Sequence, residues 1–256
     1  MAGGSPPGAS LVARTIDVLG AFEQGRERLT LAELSSSAGL TPPTCLRIAR
    51  QLVATGALTR DGDGRYAVGG RMWDIGLLAP VRSDLREVAA PFLQDLHAAT
   101  RATVHLAIRD GDEVLYLDRL SGSASVPVVS RVGSRLPMHA TGVGKVLLAH
   151  APPDLVERVL ADLRPVTAYT ITAPGILARQ LADVRDLGFA TTREEMSLGA
   201  CSIAVPIRLA GDVVASVAVV VADFRRERAR LVTALTVTAH GIGRSLEPAS
   251  GGASTQ

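Results

Sequence analysis

Apolar and polar positions alternate along the first seventy residues with the period of helices. Ser10 can cap a helix that carries Val12, Ile16, Leu19 and Phe22 on one face and stops at Gly25. Thr30-Leu31-Ala32-Glu33 is a capping-box pattern, in which a hydroxyl accepts from the third helical N–H and a carboxylate reaches back to the cap. Leu31, Leu34 and Ala38 form the apolar side of that short helix, and Gly39 ends it. Thr41-Pro42 reads as a cap followed by proline at the first helical position. It opens a third helix that runs to about Ala54 and stops at Gly56. Ala57–Arg60 and Arg65–Val68 flank Asp61-Gly62-Asp63-Gly64, a strong turn signal, and so predict a hairpin.

The pattern changes near Ala79-Pro80. Ser83 predicts a helix cap, with the helix continuing towards Thr100 past Pro91. Val104, Leu106 and Ile108 alternate with Thr103, His105 and Arg109, which is strand periodicity. Val114–Asp118 and Val126–Val132 predict two more strands. Helices are predicted near Thr141–His150, from about Pro153, and over Ile176–Leu187. Strands are predicted at Phe189–Thr192, Ser202–Arg208 and Val213–Val221, and a last helix at Arg225–Leu246. Hairpin-linked strands with helices around them predict an α+β unit, an antiparallel sheet covered by helices. The boundaries are 10–69 for the helical unit with its hairpin, 70–82 for a connecting helix and 83–246 for the larger unit. Residues 1–9 and 247–256 are Gly/Ser/Pro/Ala-rich and read as disordered tails.

Composition bounds this picture. A chain of 256 residues with 47% hydrophobic and 20% charged residues has ample material for buried cores and is not a disordered chain. No apolar run approaches membrane-spanning length, and the N-terminus lacks the charged and apolar stretches of a secretory leader. Cys45 and Cys201 make neither a disulfide framework nor a zinc spacing. These features predict a cytoplasmic protein without membrane contact.

The formal net charge is +2, but it is unevenly spread. From Arg47 to Arg71 there are five basic residues (Arg47, Arg50, Arg60, Arg65, Arg71) and two acidic ones (Asp61, Asp63). That local +3 exceeds the charge of the whole chain. On a wheel of residues 41–54, Leu46, Ala49 and Val53 fall on one side. Thr44, Arg47 and Gln51 fall opposite, with Arg50 at the margin. Arg, Gln and Thr can touch guanine, adenine and the thymine methyl respectively, and a helix N-terminus offers free N–H groups to a phosphate. Helix, short turn, helix and hairpin is the winged helix-turn-helix plan. The same pattern suits a solvated arginine face or a protein-contact module.

Signals of catalysis are weak. Thr141-Gly142-Val143-Gly144-Lys145 suggests a phosphate loop, but His139 and Val146 stand where the pattern needs glycine and a hydroxyl. The alternative is a tight helix entry with Lys145 snorkelling to water. The five histidines show no metal spacing, and His105 reads as exposed or satisfied in the core. Cys201-Ser202 lacks a nucleophile elbow, and Glu194-Glu195 reads as solvated. The expectation is a protein with no catalytic residues, metal or cofactor. The competing reading is a small-molecule enzyme with an accessory winged helix.

Several separated stretches resemble the IclR family of bacterial transcriptional regulators. LTLAELSSSAGLTPPTCLRIARQLVATGALTRDGDGRYAVGGRMWDIG resembles that family's winged helix-turn-helix and linker. VGSRLPMHATGVGKVLLA resembles its effector-domain signature. LGFATTREEMSLGACSIAVPI and GDVVASVAVVVA resemble the strands that close its ligand pocket, and AYTITAPGILARQLADVR is closest to the branch that senses aromatic acids. The resemblance implies an N-terminal DNA-binding domain, a linker helix and a GAF-like effector domain. It also implies a homodimer or homotetramer on a partly palindromic double-stranded DNA operator, a small organic acid as effector, and repression as the expected sign. Carried over by position, DNA contacts fall on Thr41, Pro43, Thr44, Arg47 and Arg50, with Arg65 in the wing; the wheel adds Gln51. The effector pocket falls on Met138, Ala140, Thr141, Gly142, Thr192, Ser202, Ala218 and Val220. Some relatives that bind small carboxylates carry Asp where Thr192 stands, Cys where Ser202 stands, and Ser where Ala218 and Val220 stand. This pocket is therefore less polar, and the resemblance implies a larger, partly apolar or aromatic acid rather than glyoxylate.

Overall fold

A computed structural model describes residues 10–22, 26–77, 83–121, 126 and 128–247. The chain divides into two compact units, Met1–Val81 and Arg82–Gln256. The expected stop at Gly25, residues 78–82 of the expected linker, and residues 1–9 and 248–256 of the expected tails lie outside the described residues.

In the first unit, Ser10 caps α1 (Leu11–Gly20) by accepting from the Ala13 N–H. Val18 and Ala21 are buried, with Leu19 and Phe22 packed against them. Val12 and Ile16 are not: they are 72% and 61% exposed. The apolar stripe of α1 is wider than the face its neighbours cover. The capping box at Thr30 and Glu33 is complete at the head of α2 (Leu31–Ser37). Gly39, at φ +63°, supplies the left-handed step into α3 (Pro42–Ala54). The buried line of α3 is Cys45, Ile48, Ala49 and Leu52, while Leu46 and Val53 are half-buried flanks. The core face is thus turned about a quarter turn from the expected one. Strands β1 (Leu58–Arg60) and β2 (Tyr66–Val68) pair antiparallel, Arg60 opposite Tyr66. Tyr66 anchors this wing: its ring is fully buried and its backbone exchanges hydrogen bonds of 2.7 and 2.9 Å with Leu29. Helix α4 (Gly70–Leu77) follows, with Arg71 donating to the Thr55 carbonyl.

The second unit is a six-stranded antiparallel sheet between two helical layers. After α5 (Ser83–Thr100) come β3 (Thr103–Asp110), β4 (Glu113–Leu120), β5 (Arg135–Pro137), α6 (Gly142–Ala149), α7 (Pro153–Ala161) and α8 (Pro174–Leu187). Next are β6 (Ala190–Arg193), β7 (Cys201–Leu209), β8 (Asp212–Val221) and α9 (Arg228–Leu246). The strand order is β5-β4-β3-β8-β7-β6. Ser83 is the first helical residue of α5 rather than its cap. The expected strand over 126–132 is absent: residue 126 and residues 128–132 are not strand, and residue 127 lies outside the described residues. The edge strand is instead the short β5, which pairs Glu113 with Pro137.

Period-2 alternation divides the sheet's residues between two cores. Val104, Leu106, Ile203, Val205, Val217 and Val219 face one way, onto α5 and α9. Ala107, Ala190, Ala204 and Ala218 face the other, towards α6, α7 and α8. The first face carries bulky branched residues and the second small ones. A stripe of alanines lets α6 lie close to the sheet, and its glycines complete the approach. A Cβ on Gly142 would strike the Ser202 hydroxyl, and one on Gly144 would strike the Met138 carbonyl and the Thr141 hydroxyl. No described helix is long and apolar enough to cross a membrane.

Candidate functional site

Two sites emerge, one in each unit. In the first unit the exposed side of α3 carries Pro43, Arg47, Arg50 and Gln51, and Thr44 is half-buried beside them. Because the core face is rotated, Arg47 points squarely away from the core, with Arg50 and Gln51 on either side. Thr41 precedes the helix, and its hydroxyl donates to Thr44 Oγ1 at 3.0 Å instead of capping the backbone. Pro42 and Pro43 have no N–H, so the first turn offers the Thr44 N–H rather than a set of donors.

Other local arginines are engaged. Arg28 pairs with Asp61, Arg65 lies 3.7 Å from Glu33, and Arg60 stacks over the Tyr66 ring. Hydrogen bonds from Thr30 and the nearby Arg65 hold the Glu33 carboxyl below its usual range. Among the described residues, no hydrogen bond or ion pair holds the Arg47 or Arg50 side chain. Two forked, always-charged donors stand ready on one helix face.

In the second unit a cavity of about 430 Å³, open mouth included, lies between the small-residue face of the sheet and the start of α6. Strand register builds its floor: Val220 lies opposite Ser202, and Ser202 opposite Thr192, while Ala218 lies opposite both His105 and Ala204. Thr192 Oγ1 and Ser202 Oγ are 2.6 Å apart. At the other side Thr141 caps α6, accepting from the Gly144 N–H at 3.1 Å and donating to the Pro137 carbonyl. The Gly142 and Val143 N–H groups have no acceptor among the described residues, and both residues line the cavity.

Of the eight expected pocket residues, Ala140, Thr141, Gly142, Thr192, Ser202, Ala218 and Val220 line this cavity. Met138 does not. It is buried in the core beneath α6, where its carbonyl sits against Gly144.

Sequence reasoning missed four polar residues of the wall: His105, Tyr116, Ser130 and Ser197. His105 Nε2 lies 2.9 Å from Ser130 Oγ, and its ring meets Tyr116 edge-on at 5.1 Å. Burial, with the Arg119 charge nearby, pushes the His105 pKa down to about 3, so its imidazole is neutral. Burial pushes the Tyr116 phenol upward, opposed by the Thr141 hydroxyl. Arg119 donates to the Ser130 carbonyl at 3.1 Å, and its Nε is buried without an acceptor among the described residues. The side chains that line the cavity are neutral hydrogen-bonding groups set in an apolar wall. Among the described residues, no group of three or more His, Cys, Asp or Glu could hold a metal.

Two sequence expectations fail just outside the cavity. Lys145 does not snorkel, and Glu195 is not solvated. Both are buried, with Lys145 Nζ 2.7 and 2.8 Å from the two Glu195 oxygens and 2.8 Å from Gln180 Oε1. Burial lowers the lysine and raises the carboxyl, and each partner's charge opposes that shift in the other.

Comparison with known proteins adds to this geometry. The profile described as "IclR helix-turn-helix domain" matches residues 11–62, and that described as "Bacterial transcriptional regulator IclR C-terminal" matches residues 79–244. The HTH-type transcriptional regulator BhcR of Paracoccus denitrificans is 34% identical over 230 residues, 88% of this chain and 81% of that protein. The HTH-type transcriptional repressor AllR of Escherichia coli is 30% identical over 216 residues, 83% of this chain and 80% of that one. An IclR homolog from Microbacterium hydrocarbonoxydans, crystallised with 4-hydroxybenzoate, superposes with a TM-score of 0.88. It is 34% identical, and the match covers 93% of this chain and 99% of that one.

Proposed function

The chain belongs to the IclR family of bacterial transcriptional regulators, and we propose that it is a repressor whose operator affinity is controlled by a small aromatic acid. Residues 10–69 read DNA, residues 70–82 link, and residues 83–246 sense the acid. The observation that carries the proposal is the cavity: neutral, partly apolar, and bounded by two unbonded N–H groups at the start of α6. A carboxylate suits those N–H groups and the Thr141 end. An aromatic ring suits Ala218, Val220 and Leu136, and a ring hydroxyl suits the Thr192–Ser202 and His105–Ser130 pairs. The 4-hydroxybenzoate held by the Microbacterium relative supports this class of ligand. A tiny polar acid would leave most of these groups unpaired.

On DNA, Arg47 and Arg50 contact bases or phosphates, with Thr41, Pro43, Thr44 and Gln51 beside them and Arg65 in the wing. The exposed apolar residues of α1 (Leu11, Val12, Ile16) and of α4 (Trp73, Ile75) support self-association of the DNA-binding unit. A dimer would match a partly palindromic operator. Calorimetry with 4-hydroxybenzoate and with glyoxylate tests the sensing. Binding of the aromatic acid is expected, and binding of glyoxylate alone overturns it.

A further inference from the structure

We infer that the buried Lys145–Glu195 pair positions one wall of the cavity, so that acid affinity depends on two residues that do not touch the acid. This deepens the sensing reading and rests on it.

The wall in question is the connection between β6 and β7, from which Met196, Ser197 and Ala200 line the cavity. It is a tight excursion folded onto itself. Glu194, at φ +55°, and Gly199, at φ +72°, reverse the chain. The Glu194 N–H donates to the Ala200 carbonyl at 2.9 Å, and the Gly199 N–H donates to Glu194 Oε2 at 2.9 Å. These bonds shape the excursion but do not place it over the cavity.

Two other sets of contacts do that. From the connection between α7 and α8, Thr167 Oγ1 donates to the Glu194 carbonyl at 2.6 Å and Thr170 Oγ1 to the Glu195 carbonyl at 2.7 Å. From α6, Lys145 grips the Glu195 carboxylate with two hydrogen bonds and donates a third to Gln180 on α8. An ammonium has three N–H donors, and all three are used. Helix α6 therefore carries both the cavity's N–H groups, at Gly142 and Val143, and the anchor of the facing wall, at Lys145. Neither Lys145 nor Glu195 lines the cavity.

A directional pair of this kind fixes geometry more than it adds stability. Replacing a buried ion pair by apolar side chains of similar size is often neutral for folding, whereas removing one partner strands a charge. The informative variant is therefore the double substitution Lys145→Met/Glu195→Met in the full chain. Its readouts are calorimetry with 4-hydroxybenzoate and hydrogen–deuterium exchange of residues 194–200, with residues 143–149 as the internal reference. Expected are an unchanged α6, faster exchange over 194–200, and acid affinity about 3- to 30-fold weaker than wild type. Wild-type exchange over 194–200, or wild-type affinity, overturns the inference. If the wild-type protein binds no acid, the sensing reading fails, and the exchange readout alone decides the role of the pair. Should the double variant not fold, Glu195→Gln keeps the shape and one acceptor and carries the same two readouts.

Discussion

A methyl group placed on Gly142 or on Gly144 meets two different kinds of neighbour. At Gly142 the new Cβ would strike the Ser202 hydroxyl, while the Ala204 methyl and Ser202 Cβ stay at 3.4 and 3.5 Å. The hydroxyl can rotate away, at the cost of its 2.6 Å bond to Thr192, about 1 kcal/mol. Alanine returns up to about 1 kcal/mol of helix preference over glycine. The two effects offset, so the melting temperature of Gly142→Ala should stay within about 3 °C of wild type. The cavity, however, loses space beside the unbonded N–H groups, and its Thr192–Ser202 pair is rearranged. Affinity for 4-hydroxybenzoate should fall about tenfold or more, roughly 1.4 kcal/mol.

At Gly144 the obstacle is the Met138 backbone, which cannot swing aside, together with the Thr141 hydroxyl, which moves only by giving up its capping bond to the Gly144 N–H. Loss of the cap costs about 1 kcal/mol and overpacking about 1–3 kcal/mol. Gly144→Ala should therefore melt about 5–15 °C lower. Scanning calorimetry and titration calorimetry on the two variants read both quantities. Wild-type acid binding by Gly142→Ala, or wild-type melting of Gly144→Ala, would refute the claim that close approach of α6 to the sheet builds the site.

Two further outcomes follow from single side chains. Arg47→Ala should weaken operator binding by about 1–3 kcal/mol and relax preference at one base position, read by anisotropy on a set of singly mutated operators; unchanged binding removes Arg47 from the readout. His105 has a folded pKa of about 3, below its ordinary 6.5, so the unfolded chain binds the extra proton between those values. Its contribution to stability is therefore complete above about pH 6.5 and is lost as the pH falls through that window, by up to about 1.4 kcal/mol per unit. Urea titrations from pH 7 to 4 should show that slope in wild type and its loss in His105→Gln. A slope that survives the substitution would assign it to other groups.

The sequence carried the local rules well and the long-range ones poorly. Caps and turns depend on a few adjacent residues, so Ser10, the Thr30–Glu33 box and the Asp61–Gly64 hairpin turn could all be read directly. The core face of α3 was harder. Cys45, Ile48, Ala49 and Leu52 have helical spacing, but so do Leu46, Ala49 and Val53, and both sets carry apolar residues. What lies against the helix decides between them, and α3 buries its cysteine line while Leu46 and Val53 sit at the margins. The edge strand β5 is three residues long and ends in proline, too short for alternation to register, whereas the more apolar 126–132 stretch looked like a strand.

The cavity shows the same division. The strand residues Thr192, Ser202, Ala218 and Val220 could be placed through the family resemblance, and the strand register puts them on one face of the sheet. His105, Tyr116 and Ser130 come from three separate segments and meet through register and chain reversal. Lys145 and Glu195 are 50 positions apart, a separation with no sequence pattern of its own. A lone lysine in an arginine-rich chain is a signal only in hindsight. Its compact ammonium fits the three acceptors that converge on it, where a planar guanidinium would not.

In the proposed regulator, acid bound in the cavity of one unit controls the DNA affinity of the other. Anisotropy of a labelled fragment of the DNA upstream of the coding region, titrated with the full chain at several salt concentrations, with and without a cavity-bound aromatic acid, tests it most directly. Binding should weaken with salt, by about 0.9 in log–log slope for each phosphate neutralised. Saturating acid should shift the affinity by about 5- to 150-fold, the range of coupled sites. Salt-independent binding, or an acid that occupies the cavity and leaves the DNA affinity where it was, would contradict the claim.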